Sequence, residues 1–330
     1  MRLTLIVLAA ICGPAFCQTA ESARQQAMDG FRSAVSTGKL VGTGSAFELL
    51  QRMRTLVAPD DWDDQRDALL DELTRRASEV VTRYTKGDEV PQTRDDYDRC
   101  AALYDAANQL EPAPRTEARM WFCRGRSYLF ELRFDEAVEA LKKAIQIAPD
   151  DGGYHYNALG VAYLEEGLTT QAAAEFQRAI DHDSPTWTYP RHDLALTDLE
   201  AGDYAAAQQK YRDAIALAGD QQAGYLHYNL GLLAHQLGQK KEAEIQYNKA
   251  LKLFQDQMAQ EDARNAPERA AVFRNDAAEA LNALGALWAS EGKRSEAADY
   301  YEKSLKLNPA LAAARNNLEL LQGRGKPVKH

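Results

Sequence analysis

Tyr156-Asn-Ala-Leu-Gly160-Val-Ala-Tyr163, followed after a short gap by Ala172-Ala-Ala-Glu-Phe176-Gln-Arg-Ala179, reads as two helices facing each other. Tyr156, Leu159, Gly160 and Tyr163 lie three and four residues apart, and so do Ala172, Phe176 and Ala179; that spacing puts each set on one helical face. Gly167 between them suits the end of the first helix. Pro185 suits the stop of the second.

The pattern returns four more times. Trp121, Gly125 and Tyr128 lead to Ala137, Leu141, Ala144 and Pro149. Leu194-Ala195 leads to Ala207, Tyr211 and Ala214, and Leu230-Gly231 to Ala243, Tyr247 and Ala250. Leu284, Gly285 and Trp288 lead to Ala297, Tyr301, Ser304 and Pro309. The leading Ala residues, from Ala137 through Ala172 and Ala207 to Ala243, are spaced by 35, 35 and 36 residues, and 54 separate Ala243 from Ala297. A period in the mid-thirties marks stacked helical pairs, with an insertion before the last. A mid-helix Gly costs about 1 kcal/mol against Ala. Repeating it at Gly125, Gly160, Gly231 and Gly285 implies a packing reason. The expected partner is the small residue opposite, Ala137, Ala172, Ala243 or Ala297, with the bulky residue four positions on acting as a knob.

These motifs resemble the tetratricopeptide repeat (TPR) family, whose signature is W-x2-L-G-x2-Y, A-x3-F, then P. The resemblance spans residues 118–311. It implies an all-α, right-handed superhelical solenoid of stacked antiparallel helix pairs. Five repeats are expected, at 118–151, 153–186, 188–221, 224–257 and 278–311, with an insertion at 258–277. The third departs from the pattern, with Arg191, Ala195 and Asp198 in place of the aromatic, Gly and Tyr. A helical N-terminal region, 18–112, precedes them. Within it Tyr97, Cys100, Tyr104 and Ala107 repeat the second-helix pattern, so 63–112 reads as a degenerate repeat. A capping helix at 310–322 and a basic tail at 323–330 complete the expected organisation, since terminal units must close a stack.

The chain opens with Arg2, an apolar run to Ile11, and Ala15-Phe16-Cys17, which fits a secretory signal over 1–17 cleaved before Gln18. The run is too short for a spanning helix, and an uncleaved anchor is the alternative. Neither Cys12 nor Cys17 has the flanking residues of a bacterial lipoprotein. An exported protein, periplasmic or extracellular and from a bacterium, is therefore expected, with no membrane span after cleavage. The net charge of −10 speaks against nucleic-acid binding. Two cysteines would survive cleavage, Cys100 and Cys123. An even count in an exported chain invites a disulfide; the alternative is two buried thiols.

Catalytic and metal patterns are missing. The six histidines form no ligand pair at helical spacing, and neither Cys-x2-Cys nor Gly-x-Ser-x-Gly occurs. Asp60-Asp61-Trp62-Asp63-Asp64 lacks the turn glycine of a calcium loop and reads as an acidic helix start. No cofactor, no metal and no enzymatic activity are expected.

The resemblance further implies that the first helices line a concave, peptide-binding groove. Its expected residues here are Tyr154, Asn157, Tyr189, His192, Tyr225, Tyr228, Asn229 and Asn282, aromatic surface joined with amides able to bond a peptide backbone; the alternative is that the Tyr residues at the helix starts pack against the preceding repeat. Relatives that grip a carboxylate tail use Lys and Arg as well as Asn. Beyond Arg119 and Arg126 those cations are missing, which argues against such a clamp. The expected function is a non-catalytic scaffold or adaptor for a protein or peptide partner. Alternatives are a structural subunit of an envelope assembly, using convex or end-helix contacts, and an enzyme or enzyme accessory carried by residues 21–112.

Overall fold

The structure, a computed structural model, describes residues 14–86, 91–182, 187–218 and 223–323. Most of the expected signal (1–13), Pro185 and the tail residues 324–330 lie outside the described residues. Among the described residues, all regular structure is helical, in fifteen helices. Two compact units form: one from the chain up to Tyr84 plus Gln92–Asp151, the other from Thr85–Pro91 plus the chain from Gly152.

The first unit holds α1 (Pro14–Ser36), α2 (Ala46–Met53), α3 (Pro59–Thr85), α4 (Arg94–Leu110), α5 (Pro114–Phe130) and α6 (Phe134–Ile147). The residue expected to follow cleavage, Gln18, falls within α1. Leu50 and Met53 bury the inner face of α2, and Trp62 Nε1 donates to Leu50 O at 3.0 Å, fastening α3 to α2. Leu69, Leu73, Ala77, Val81 and Tyr84 recur every three or four residues down α3 and are all buried. A capping box between Thr93 and Asp96 starts α4. Cys100 on α4 and Cys123 on α5, both fully buried, are joined as a disulfide with Cα atoms 5.9 Å apart.

The second unit holds four helix pairs and a final helix. They are α7 (Tyr154–Glu165) with α8 (Thr169–His182), α9 (Tyr189–Glu200) with α10 (Tyr204–Ala218), α11 (Gly224–Gln236) with α12 (Lys240–Ala263), α13 (Pro267–Ser290) with α14 (Arg294–Leu307), and α15 (Ala312–Leu321). Each second helix packs on its own first helix and on the next one, while α7 also touches α9 and α11 touches α13. The first helices thus share one side of this unit, each pair burying the face its neighbour leaves open.

The glycines pack differently from the expectation. Each faces the bulky knob and not the small Ala. A Cβ built on Gly160 would lie 2.5 Å from Cε1 of Phe176. One on Gly125 would lie 2.6 Å from Cγ of Leu141, on Gly231 2.6 Å from Cδ1 of Tyr247, and on Gly285 2.6 Å from Cε1 of Tyr301. The reason is reach: Ala137, Ala172, Ala243 and Ala297 are fully buried, but their single carbon does not extend to the facing backbone. The knob does, and it takes the space that a Cβ would need.

The turns inside the pairs follow one plan. Gly167, Gly202, Gly238 and Gly292 adopt φ between +71° and +76°. Gly167 N bonds Leu164 O and Leu168 N bonds Tyr163 O, closing the helix end. In the first unit the same paired bonds, Leu132 N to Leu129 O and Arg133 N to Tyr128 O, form around Leu132. Leu132 therefore carries a left-handed φ of 58°, and it is 72% exposed.

The residues between the fourth and fifth signatures extend two helices. α12 runs on to Ala263, Asn265 turns the chain at φ 56°, and Pro267 opens α13 at its first position, where a missing N–H is harmless. Phe254 and Phe273 fill the space between the two arms, together with Ala250, Ala277 and Ala280. Near the tip the buried Glu261 accepts from Arg264 Nη1 at 2.8 Å and Arg269 Nε at 3.2 Å.

Candidate functional site on the first helices of the second unit

One polar ladder crosses three first helices. Asn157 Nδ2 on α7 donates to Asp193 Oδ2 on α9 at 3.1 Å. His192 Nδ1 lies 3.0 Å from Asp193 Oδ1, and Asn229 Nδ2 on α11 lies 3.1 Å from His192 Nε2. A carboxylate only accepts and an amide nitrogen only donates, so this pairing places the imidazole proton on Nδ1. Around the ladder the rings gather. Tyr189 and Tyr225 meet edge-on with centroids 5.8 Å apart, and His192 sits 5.4 Å from Tyr225 and 5.7 Å from Tyr211. The Tyr225 hydroxyl bonds Thr188 Oγ1.

The eight groove residues expected from the sequence therefore divide. Tyr189, His192, Tyr225 and Asn229 form one half-buried cluster on α9 and α11. Tyr154 and Asn157 are buried, at 3% and 1% exposure; the Tyr154 ring is tilted against His155, and Asn157 holds Asp193 by its hydrogen bond. Tyr228 stands apart, 6.0 Å from Tyr247. Asn282 Oδ1 accepts from Asn317 Nδ2 of α15 at 2.9 Å, so it fastens the last helix.

Three acids complete this side. Beyond Asp193 there are Asp276 and Glu279, one turn apart on α13 and hence on the same helix face. Burial, then the charge of Glu279, pushes Asp276 up to about 6. Burial, then Glu279 and Asp276, pushes the Tyr228 phenol up to about 12. Sequence reasoning passed over Asp193 and Asp276. The signal was present for Asp193, which occupies a lining position of its repeat. Asp276 precedes the repeat signature and lines the face only because α13 starts early.

The first unit differs in charge on the corresponding helix, α5. Arg119 grips Asp151 with bonds of 2.8 and 3.0 Å, and Arg115 adds a third at 2.6 Å. The Arg126 guanidinium lies over the rings of Tyr84 and Tyr97, 4.8 and 5.2 Å from their centroids. Trp121 is covered by Arg124 and Lys143, and Tyr128 by Arg133. Among the described residues, no group of three or more His, Cys, Asp or Glu side chains is placed to hold a metal ion, and no helix is long and apolar enough to cross a membrane.

Sequence profiles described as tetratricopeptide repeat match residues 118–151, 192–258 and 278–311. The chain is 26% identical over 203 residues to the human antiviral innate immune response effector IFIT1, covering 52% of this chain and 42% of that protein. It is 30% identical over 159 residues to the type IV pilus assembly protein PilF of Pseudomonas aeruginosa, covering 48% of this chain and 55% of PilF. The chain thus spans about half the length of the curated relatives it matches. Among solved structures, PilW, described as a widely conserved type IV pilus biogenesis factor, superposes with a TM-score of 0.53 at 17% identity, over 75% of this chain and 97% of PilW. Repeat spacing, helix pairing and profile matches agree: the chain belongs to the tetratricopeptide-repeat family.

Proposed function

We propose that the chain is a non-catalytic scaffold of the bacterial cell envelope that holds a segment of a protein partner against the first helices of its second unit. The observation that carries this reading is the cluster of Tyr189, His192, Tyr225 and Asn229, half-buried rings with an amide at their edge. Aromatic surface with few rotatable bonds is what contact hot spots use. Asn157 supports it from α7 through Asp193, while Tyr228 stands apart and Asn282 fastens the last helix. Tetratricopeptide-repeat proteins generally mediate protein–protein interaction. The apolar opening of the chain and the likeness to PilF and PilW support export to the envelope.

A second reading has its own support. Leu168, Tyr204 and Leu237 are exposed at 40, 37 and 37%, and each sits at the turn inside a helix pair. A subunit that contacts an assembly through these turns would present such side chains.

Pull-down from envelope extract separates the two readings, comparing the wild-type chain with Tyr189→Ala/Tyr225→Ala. Loss of the partner at unchanged helicity supports the first-helix face. A partner retained by the double variant and lost by Leu168→Ser/Leu237→Ser supports the turns.

A further inference from the structure

We infer that the segment taken by the first-helix face of the second unit is positively charged, with one lysine or arginine side chain seated at Asp193 and another at Asp276 and Glu279. The inference rests on the reading of that face as the partner surface and adds its chemistry.

Charge accounts for the first part of the argument. Asp193, Asp276 and Glu279 all lie on first helices. Among the described residues, none of them forms an ion pair with a lysine or arginine; Asp193 meets only the ring of His192 and the amide of Asn157, and Glu279 only the amide of Asn275. Four cations of this unit are engaged elsewhere: Lys210 with Asp198, Arg212 with Glu242, Arg269 with Glu261 and Arg274 with Asp262. Asp276 and Glu279 repel each other in a half-buried setting, and burial and that repulsion together raise the Asp276 carboxyl. A cation from outside removes the repulsion.

The second part is independent of the carboxylates' number. Tyr211 is fully buried, and its hydroxyl has no hydrogen-bond partner in the protein. Its ring packs beside His192, and the charge of Asp193 acts on it after burial itself in holding the phenol protonated. A buried polar group without a partner is destabilising. An ammonium or guanidinium at Asp193 donates to the carboxylate and offsets the charge that acts on Tyr211. Tyr189 stands one turn before Asp193 on α9 with its ring against that of Tyr225, and such rings add cation–π attraction. An acidic segment would meet three carboxylates, and an uncharged one would leave Tyr211 as it is.

The test is panning of a phage-displayed random dodecapeptide library on the full chain, followed by fluorescence anisotropy with the selected peptides. Lysine and arginine should be enriched. Affinity should fall at least tenfold for Asp276→Asn/Glu279→Gln, and likewise when the basic residues of the peptide become glutamine. Added salt should weaken binding. Asp193→Asn is a riskier variant because Asp193 holds Asn157 and His192, so the α13 pair decides. Acidic or uncharged peptides bound equally by wild type and the α13 variant overturn the inference, and so does the absence of any enrichment over bare support. If such peptides are then lost in Tyr189→Ala/Tyr225→Ala, the face still binds a partner and only its charge preference falls. If the Tyr variant binds them as well as wild type does, the face is not the site and both readings fall together.

Discussion

Gly160 and Phe176 share one space. The phenyl edge lies where a Cβ on residue 160 would stand, 2.5 Å from Cε1. The helix tolerates its least favourable ordinary residue so that a ring from the next helix can fill the gap. Packing density is bought here with helix propensity, and the same trade recurs at Gly125, Gly231 and Gly285.

Gly160→Ala is therefore expected to destabilise the protein. The gain in helix propensity is about 1 kcal/mol. Displacing a packed ring costs about 1–3 kcal/mol, which outweighs that gain over most of its range. Urea denaturation should show a net loss, and adding Phe176→Leu should return part of it. Phe176→Ala alone should cost about 3–5 kcal/mol. A stabilised Gly160→Ala protein would mean that the ring has room to move.

Reduction should weaken the first unit. The Cys100–Cys123 link closes a loop with a sequence separation of 23, and a crosslink of that span contributes about 3 kcal/mol by restricting the unfolded chain. Denaturation with and without dithiothreitol, beside Cys100→Ser/Cys123→Ser, measures it. Equal midpoints for the oxidised and reduced protein would contradict the expectation.

Leu132 is the one leucine at a turn position otherwise given to glycine. A left-handed leucine costs about 1–2 kcal/mol, and at 72% exposure its side chain returns little by burial. Leu132→Gly should raise stability by up to about 1 kcal/mol after the entropy of glycine is counted. Leu132→Val, branched at Cβ, should lower it. Thermal melts of the three proteins give the order.

Asp276 predicts a pH dependence. Its folded-state carboxyl is raised to about 6 from an ordinary value near 4. The native state therefore binds a proton more readily than the unfolded chain, and stability falls as pH rises from about 4 through about 6. Asp276→Asn should be the more stable protein at pH 7.5 and should converge with wild type near pH 4. A difference that is constant across this range would assign the effect to something other than ionisation.

The fold was legible because its signals recur. One Gly or one Ala carries little information, but five in phase fix helix pairing, and the second-helix aromatics Phe176, Tyr211, Tyr247 and Tyr301 are buried together with Leu141. What each glycine touches was not legible. Spacing along a helix gives the face and not the reach of the side chain opposite, and the small Ala and the bulky knob share a face. The candidate site was legible in part for a related reason. Tyr189, His192, Tyr225 and Asn229 come together because position within the repeat fixes direction. Burial of Tyr154 and Asn157 depends on which side chains their neighbours present, and the early start of α13, which carries Asp276 onto the face, lies outside the repeat pattern.

The hairpin of α12 and α13 has a consequence for how the array tolerates change. The step from Ala243 to Ala297 exceeds the one before it by 18 residues, yet the pair that follows keeps its own glycine-and-knob contact between Gly285 and Tyr301. Added length divided over two antiparallel arms travels out by about 14 Å and returns by the same distance. The insertion is topologically neutral: it lengthens the chain without turning the units downstream. Matched deletions, one helical turn from each arm, should leave the register of the last pair intact, while a single-arm deletion of equal size should not.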